Sequence, residues 1–202
     1  MILAADTYKT NSDLMIACRE LGYLSDEDLV VDVTFGKGTW WKKHVPLHLI
    51  AHDLLDGCDF RHLPYLDDTF DRLAFDPPYV AVGGRSTSTI PGFNEAYGLV
   101  DVPKTVKGLH KLIVEGLLEA HRVLKPKGLV LFKCMSYVTS GQYTRQGEDA
   151  IRAVEDFFRV KDELIYLRKP GPQPTVNLDG SARVQRHARR NFSTLYILEA
   201  KK

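Results

Sequence analysis

Cysteine is scarce in this chain. Cys18, Cys58 and Cys134 are all there is among 202 residues. They are odd in number and far apart, so neither a disulfide framework nor a zinc-type ligand spacing follows, and a reducing cytoplasm is the expected setting. Long apolar runs are missing as well. The strongest, at residues 129–132, is far short of the ~20 residues a membrane helix needs, which argues against a membrane role. The apolar start at residues 1–5 meets Asp6 at once, too short for a secretory signal. His44, His48, His52 and His62 are unevenly spaced and predict no metal site. Nor does one sign of charge dominate: 27 Lys and Arg stand against 26 Asp and Glu, a net charge of +1. With 44% hydrophobic and 26% charged residues, the composition is that of a folded soluble protein, and the length suits one domain over residues 1–202.

The near-neutral total hides an asymmetry. Residues 168–202 carry eight basic and two acidic side chains, and residues 1–167 carry 19 basic and 24 acidic. Arg183, Arg186, Arg189 and Arg190 supply half of those eight basic residues within one short stretch. Such a segment can meet a polyanion locally.

The hydrophobic pattern alternates strand and helix. Residues 12–21 put Leu14, Ala17, Cys18 and Leu21 on one helical face, with Asn11 or Ser12 as cap and Gly22 as stop. Residues 29–33, 47–52 and 70–75 read as buried strands, and a further short strand is expected near Cys58 and Phe60. A short helix is expected around Trp40 and Trp41, which read as core and cap. The clearest helix is 107–124, with Leu109, Leu112, Ile113, Leu117, Ala120 and Leu124 in one stripe. A strand at 129–133 follows, then a helix from 149 or 150 to 160 with Phe158 inward, then strands at 164–167 and 194–198. The expected fold is α/β, Rossmann-like: a mostly parallel sheet with an antiparallel edge pair. Loops 80–106, 136–147 and 168–192 are candidate substrate-binding insertions. In such sheets ligands bind beyond the carboxyl ends of the strands, so the residues that follow each strand carry the functional reading.

After the first strand comes Asp32-Val33-Thr34-Phe35-Gly36-Lys37-Gly38. Glycine lets backbone approach a ligand closely. A dinucleotide fingerprint would want a third glycine where Trp41 stands, which argues against a dehydrogenase. After the strand at 70–75 comes Asp76-Pro77-Pro78-Tyr79. Two prolines stiffen the turn and remove its backbone donors, so that only carbonyls face a ligand. An amino group on a conjugated ring is a poor nucleophile because its lone pair is delocalised. The Asp76 carboxylate and the Pro77 carbonyl can accept its hydrogens and free that lone pair, while Tyr79 stacks on the ring. Lys133 and Ser136 follow a strand and can face the same pocket, and Asn191 sits at a loop–strand junction.

These residues carry a resemblance. The D-x-x-x-G-x-G turn is similar to that of class I methyltransferases. The stretches CDFRHLPYLDDTFDRLAFDPPY and EAHRVLKPKGLVLFK resemble amino-methyltransferases of the DNA adenine and cytosine type. QRHARRNFSTLYIL and KCMSYVTSGQ resemble small phage and actinobacterial DNA methyltransferases. The resemblance implies S-adenosylmethionine as cofactor, held by Asp32, Thr34, Phe35, Gly36 and Gly38, with Asp53 on the ribose and Asp59 and Phe60 on the adenine. It implies Asp76, Pro77 and Tyr79 as the catalytic residues. It also implies a nucleic-acid partner, DNA before RNA and adenine before cytosine, with Arg183, Arg186, Arg189 and Arg190 on the phosphates. The length departs from that family in that no separate recognition domain is expected. An RNA base, a protein glutamine amide and a non-catalytic nucleic-acid-binding module are the alternatives.

Overall fold

The computed structural model describes residues 8–79, 103, 105–139, 141–168, 181, 184, 187, 188 and 190–202. Arg183, Arg186, Arg189 and most of loops 80–106 and 168–192 lie outside these residues. Helix α1 (Asn11–Glu20) is followed by β1 (Leu29–Asp32), β2 (His48–Ala51) and a single 3-10 turn (Leu54–Asp56). Next come β3 (Phe70–Phe75), α2 (Val106–Val123) and β4 (Leu124–Cys134). A hairpin of β5 (Tyr137–Thr139) and β6 (Gln142–Thr144), α3 (Gln146–Ala153), β7 (Phe158–Leu167) and β8 (Phe192–Ala200) complete the order.

Among the described residues, six strands form one sheet in the order β2-β1-β3-β4-β8-β7. β2, β1, β3 and β4 run parallel, and β8 is antiparallel to both of its neighbours. The α/β expectation and its antiparallel edge are therefore met. Both faces are covered, so the strands alternate between two apolar layers instead of between core and water. Val31, Leu73, Val130 and Phe132 join the stripe of α2 (Leu109, Ile113, Leu117) on one side. Val30, Ala74, Leu131 and Ile197 join Leu14, Met15 and Cys18 of α1 on the other, with Trp40 and Trp41 packed into that layer. Phe75, Phe132 and Tyr196 stack in a row across β3, β4 and β8, with centroids 5.8 and 5.9 Å apart. No helix among the described residues is long and apolar enough to cross a membrane.

Several local expectations are corrected. α1 is capped by Thr10, whose hydroxyl accepts the Asp13 N–H at 3.2 Å, not by Asn11 or Ser12. Residues around Trp40 and Trp41 form turns, not a helix. No strand forms at Cys58 and Phe60: Asp53 caps the 3-10 turn, and Gly57 in a left-handed conformation (φ +77°) ends it. The stretch 136–147 contains a hairpin, not a bare loop. α3 ends at Ala153, so Phe158 is the buried first residue of β7 and not part of a helix.

Candidate active site

Register brings the strand ends together. Asp32 pairs with Ala51 of β2 and Ala74 of β3, and Phe75 pairs with Phe132 of β4. The residues that follow, Thr34 to Gly38, Asp53, Asp76 and Lys133, therefore converge on one edge. Gly36 and Gly38 have φ of +51° and +61°, a region that side-chain-bearing residues enter at a cost. The Gly36 N–H donates to Asp53 Oδ2 at 2.9 Å, and the Leu55 N–H donates to Oδ1 at 3.0 Å. Asp53 thus ties the glycine turn to the end of β2. Phe35 lies against Gly38, where an added Cβ would stand 2.8 Å from the ring.

Beneath the turn lies Asp32, 3% exposed. Its Oδ1 accepts the Thr34 N–H at 2.9 Å, and its Oδ2 accepts the Trp41 indole N–H at 2.7 Å. The Asp76 backbone N–H donates to Thr34 Oγ1 at 2.8 Å, so Thr34 joins the two strand ends. The Asp76 side chain is held separately. Its Oδ2 accepts from Lys133 Nζ at 2.9 Å and from the Trp40 indole at 3.2 Å. The Lys133 ammonium is also 5.9 Å from the Tyr79 ring centroid. The adjacent tryptophans, one donating to each aspartate, went unread in the sequence, because nothing local distinguishes an anchoring indole from a core one.

Burial pushes the Asp32 carboxyl up to about 7, and the nearby Asp76 charge adds to the rise against the donors from Thr34 and Trp41. Its pKa is thus higher folded than unfolded, where ~3.9 is ordinary. The folded state is relatively favoured below pH ~4, and that advantage is lost as pH rises to about 7. We expect the stability difference between wild type and Asp32→Asn, measured by urea denaturation, to shift against the wild type between pH ~4.5 and ~7.5. A difference independent of pH would show that Asp32 ionises freely.

Phe60 reaches the end of β3, while the contacts of Asp59 are local. The Arg61 guanidinium holds Asp59 at 2.6 Å and keeps its carboxyl below the usual range. Phe60 meets Phe75 edge-on at 5.0 Å, and an added Cβ on Gly116 of α2 would collide with both rings. Ser136 Oγ donates to Glu148 at 2.7 Å rather than to Asp76. Arg190 is the described member of the arginine cluster. Its guanidinium lies 4.1 Å from the ring centroid of Tyr143 on the β5–β6 hairpin, and Arg145 lies 5.9 Å from the same ring. The hairpin's aromatic and this second cation carry no local signal in the sequence.

No protein-family model and no curated protein sequence matches the chain. Solved structures do. The MccD protein is similar with a TM-score of 0.51 at 12% identity, over 95% of this chain and 96% of that one. A methyltransferase assignment attaches to BH2331 from Bacillus halodurans C-125, similar with a TM-score of 0.52 at 13% identity, over 93% and 99% of the two chains. TrmN from Thermus thermophilus is similar with a TM-score of 0.51 at 17% identity over 94% of this chain, which spans about half (48%) of TrmN. The mostly parallel six-stranded sheet with its antiparallel strand is a Rossmann-like fold shared with these structures.

Proposed function

We propose that this protein is an S-adenosylmethionine-dependent methyltransferase that methylates the exocyclic amino group of a nucleobase, adenine in DNA first. The observation that carries this reading is the placement of Asp76. Its carboxylate is held at the carboxyl end of β3, directly before Pro77-Pro78-Tyr79 and joined through Thr34 to the glycine turn.

The residues present suit the cofactor. Two left-handed glycines leave the backbone bare at positions 36 and 38, and the half-buried Asp53 carboxylate stands beside the turn to accept ribose hydroxyls. Asp32 shapes the turn from below, Thr34 and Phe35 belong to it, and Phe60 packs on Phe75 at the end of β3. When bound, S-adenosylmethionine supplies a methyl group on a cationic sulfur. Asp76 and the Pro77 carbonyl accept the two amino hydrogens of the substrate, which draws the nitrogen toward tetrahedral and exposes its lone pair. Bound there, the cofactor would supply that methyl to the exposed lone pair, its carbon–sulfur pair remaining with sulfur. The methylated nitrogen, then a strong acid, gives one proton to Asp76. Tyr79 stacks on the ring. A base inside a duplex hides this nitrogen, so the base must leave the stack.

Phosphate binding is the natural role of the arginine segment, because guanidinium holds phosphate in a bidentate manner. Arg190, stacked on Tyr143, fixes one end of it on the hairpin. Replacing Arg190 with alanine is expected to weaken DNA binding across sequences. It should lower the slope of log affinity against log salt by about 0.9 for each phosphate the guanidinium neutralises. Titrations at several salt concentrations check this, and an unchanged slope moves the substrate away from nucleic acid.

The decisive experiment incubates the protein with methyl-labelled cofactor and separate pools of duplex DNA, single-stranded DNA, RNA and protein, and identifies the labelled product after digestion. N6-methyladenine from DNA supports the reading. Label in RNA or in a glutamine amide replaces the substrate, and cofactor binding without transfer to any pool replaces the activity.

A further inference from the structure

Lys133 carries a charge on a side chain only 5% exposed. A buried ammonium is tolerated only when paired, and its partner here is the carboxylate at the centre of the site. We infer that Lys133 and the Trp40 indole clamp one oxygen of Asp76, which holds the group as an ionised acceptor with its other oxygen presented to the substrate amino group; this rests on the function proposed above. Lys133 is in this sense a positioning residue.

Three elements build the clamp. Lys133 comes from β4, set beside Asp76 by the pairing of Phe75 with Phe132. Trp40 comes from the turn after β1, and its indole N–H points at the same Oδ2. Thr34 holds the Asp76 backbone N–H from below. Both side-chain contacts fall on Oδ2, and none among the described residues falls on Oδ1. The carboxylate plane is thus fixed by two donors of different geometry, a cation and a ring N–H. The same ammonium faces the Tyr79 ring at 5.9 Å, so one cation orders both ends of the Asp76–Tyr79 turn.

The titratable groups around Asp76 explain why a cation is needed. Burial raises the pKa of Asp32 on β1 and of Cys134 on β4, and the negative charge of Asp76 adds to each rise. Tyr79 follows on the turn, and among the described residues Lys133 is the cation in direct contact. Without Lys133, the Asp76 carboxylate would face Asp32 with no cation in contact, and like charges disfavour the ionised form of a carboxyl. A protonated carboxyl donates where the reaction needs an acceptor.

The test is Lys133→Met, which keeps the aliphatic stem. We expect kcat at neutral pH to fall roughly 10- to 100-fold, with KM for S-adenosylmethionine within about twofold. The acid limb of the kcat–pH profile should move up by about one pH unit or more. Lys133→Arg should recover most of the rate, and Trp40→Phe should show a smaller shift of the same sign. The readout independent of catalysis is the carboxyl carbon-13 titration of Asp76, assigned with Asp76→Asn. It should move up in Lys133→Met alongside the kinetic limb. An unmoved Asp76 titration in folded Lys133→Met overturns the clamp, whatever the activity. If Lys133→Met does not fold, the same titration in Trp40→Phe decides. A wild type that methylates no nucleic acid would sink the proposed function, yet the Asp76 titration would still judge the clamp by itself.

Discussion

Asp76→Ala is expected to lose methyl transfer almost entirely while it binds S-adenosylmethionine as the wild type does. The carboxylate acts on the substrate nitrogen, and its link to the cofactor turn runs through the backbone N–H to Thr34, which alanine keeps. Removing one charge-assisted acceptor from a partly buried site costs about 2–4 kcal/mol of transition-state stabilisation, or ~30- to 1000-fold in kcat. The variant also leaves Lys133 buried without its partner, so its melting temperature should fall and the assays belong well below it. Single-turnover measurements at saturating cofactor isolate the step. A folded Asp76→Ala that retains more than about a third of the wild-type rate would remove Asp76 from the chemistry.

Gly36→Val is the complementary case: binding lost, fold kept. Gly36 has φ +51° and gives its N–H to Asp53 Oδ2. A β-branched residue there is strained by about 1–3 kcal/mol and escapes by rotating the peptide. That rotation withdraws the N–H from Asp53 and fills the space where the turn meets a ligand. Gly36 lies outside both core clusters, so far-UV circular dichroism should be unchanged. Calorimetry should show S-adenosylmethionine affinity reduced roughly 100-fold, about 2.7 kcal/mol. Unaltered affinity in the folded variant would place the cofactor elsewhere.

How far the sequence revealed this depended on how local each signal was. α2 was legible because its apolar stripe persists over 18 residues. The Asp32-to-Gly38 turn and Asp76 to Tyr79 were legible because rare residue types sit next to one another after a strand. Of β7 only the second half, 164–167, was legible, because the strand lies at the sheet edge with only Phe158 and Leu164 buried, and so its first half reads as polar. The hairpin was missed for a similar reason: its strands are three residues each, turned at Gly141 with φ +77°. The expected strand at Cys58 and Phe60 failed because Asp53 engages Leu55 through its Oδ1 and starts a 3-10 turn. Lys133 could be placed near the pocket, but its bond to Asp76 spans 57 residues and depends on strand register, which no local pattern encodes.

Strand β8 has a consequence for how the sheet holds together. It lies between β4 and β7 and bonds to both along most of its length. β7 has no other strand beside it among the described residues. That half of the sheet therefore hangs on one late segment that must return past α3 and β7 to insert between strands already made. Such distant pairing is slow, since chain closure precedes any favourable contact. Opening of β8 would release β7 and bare the edge of β4 in one step. Lys133 lies on that edge, paired with Leu195, so the rigidity of the Asp76 carboxylate is coupled to the docking of β8. The cooperativity of the fold and the readiness of the site are in this way the same event.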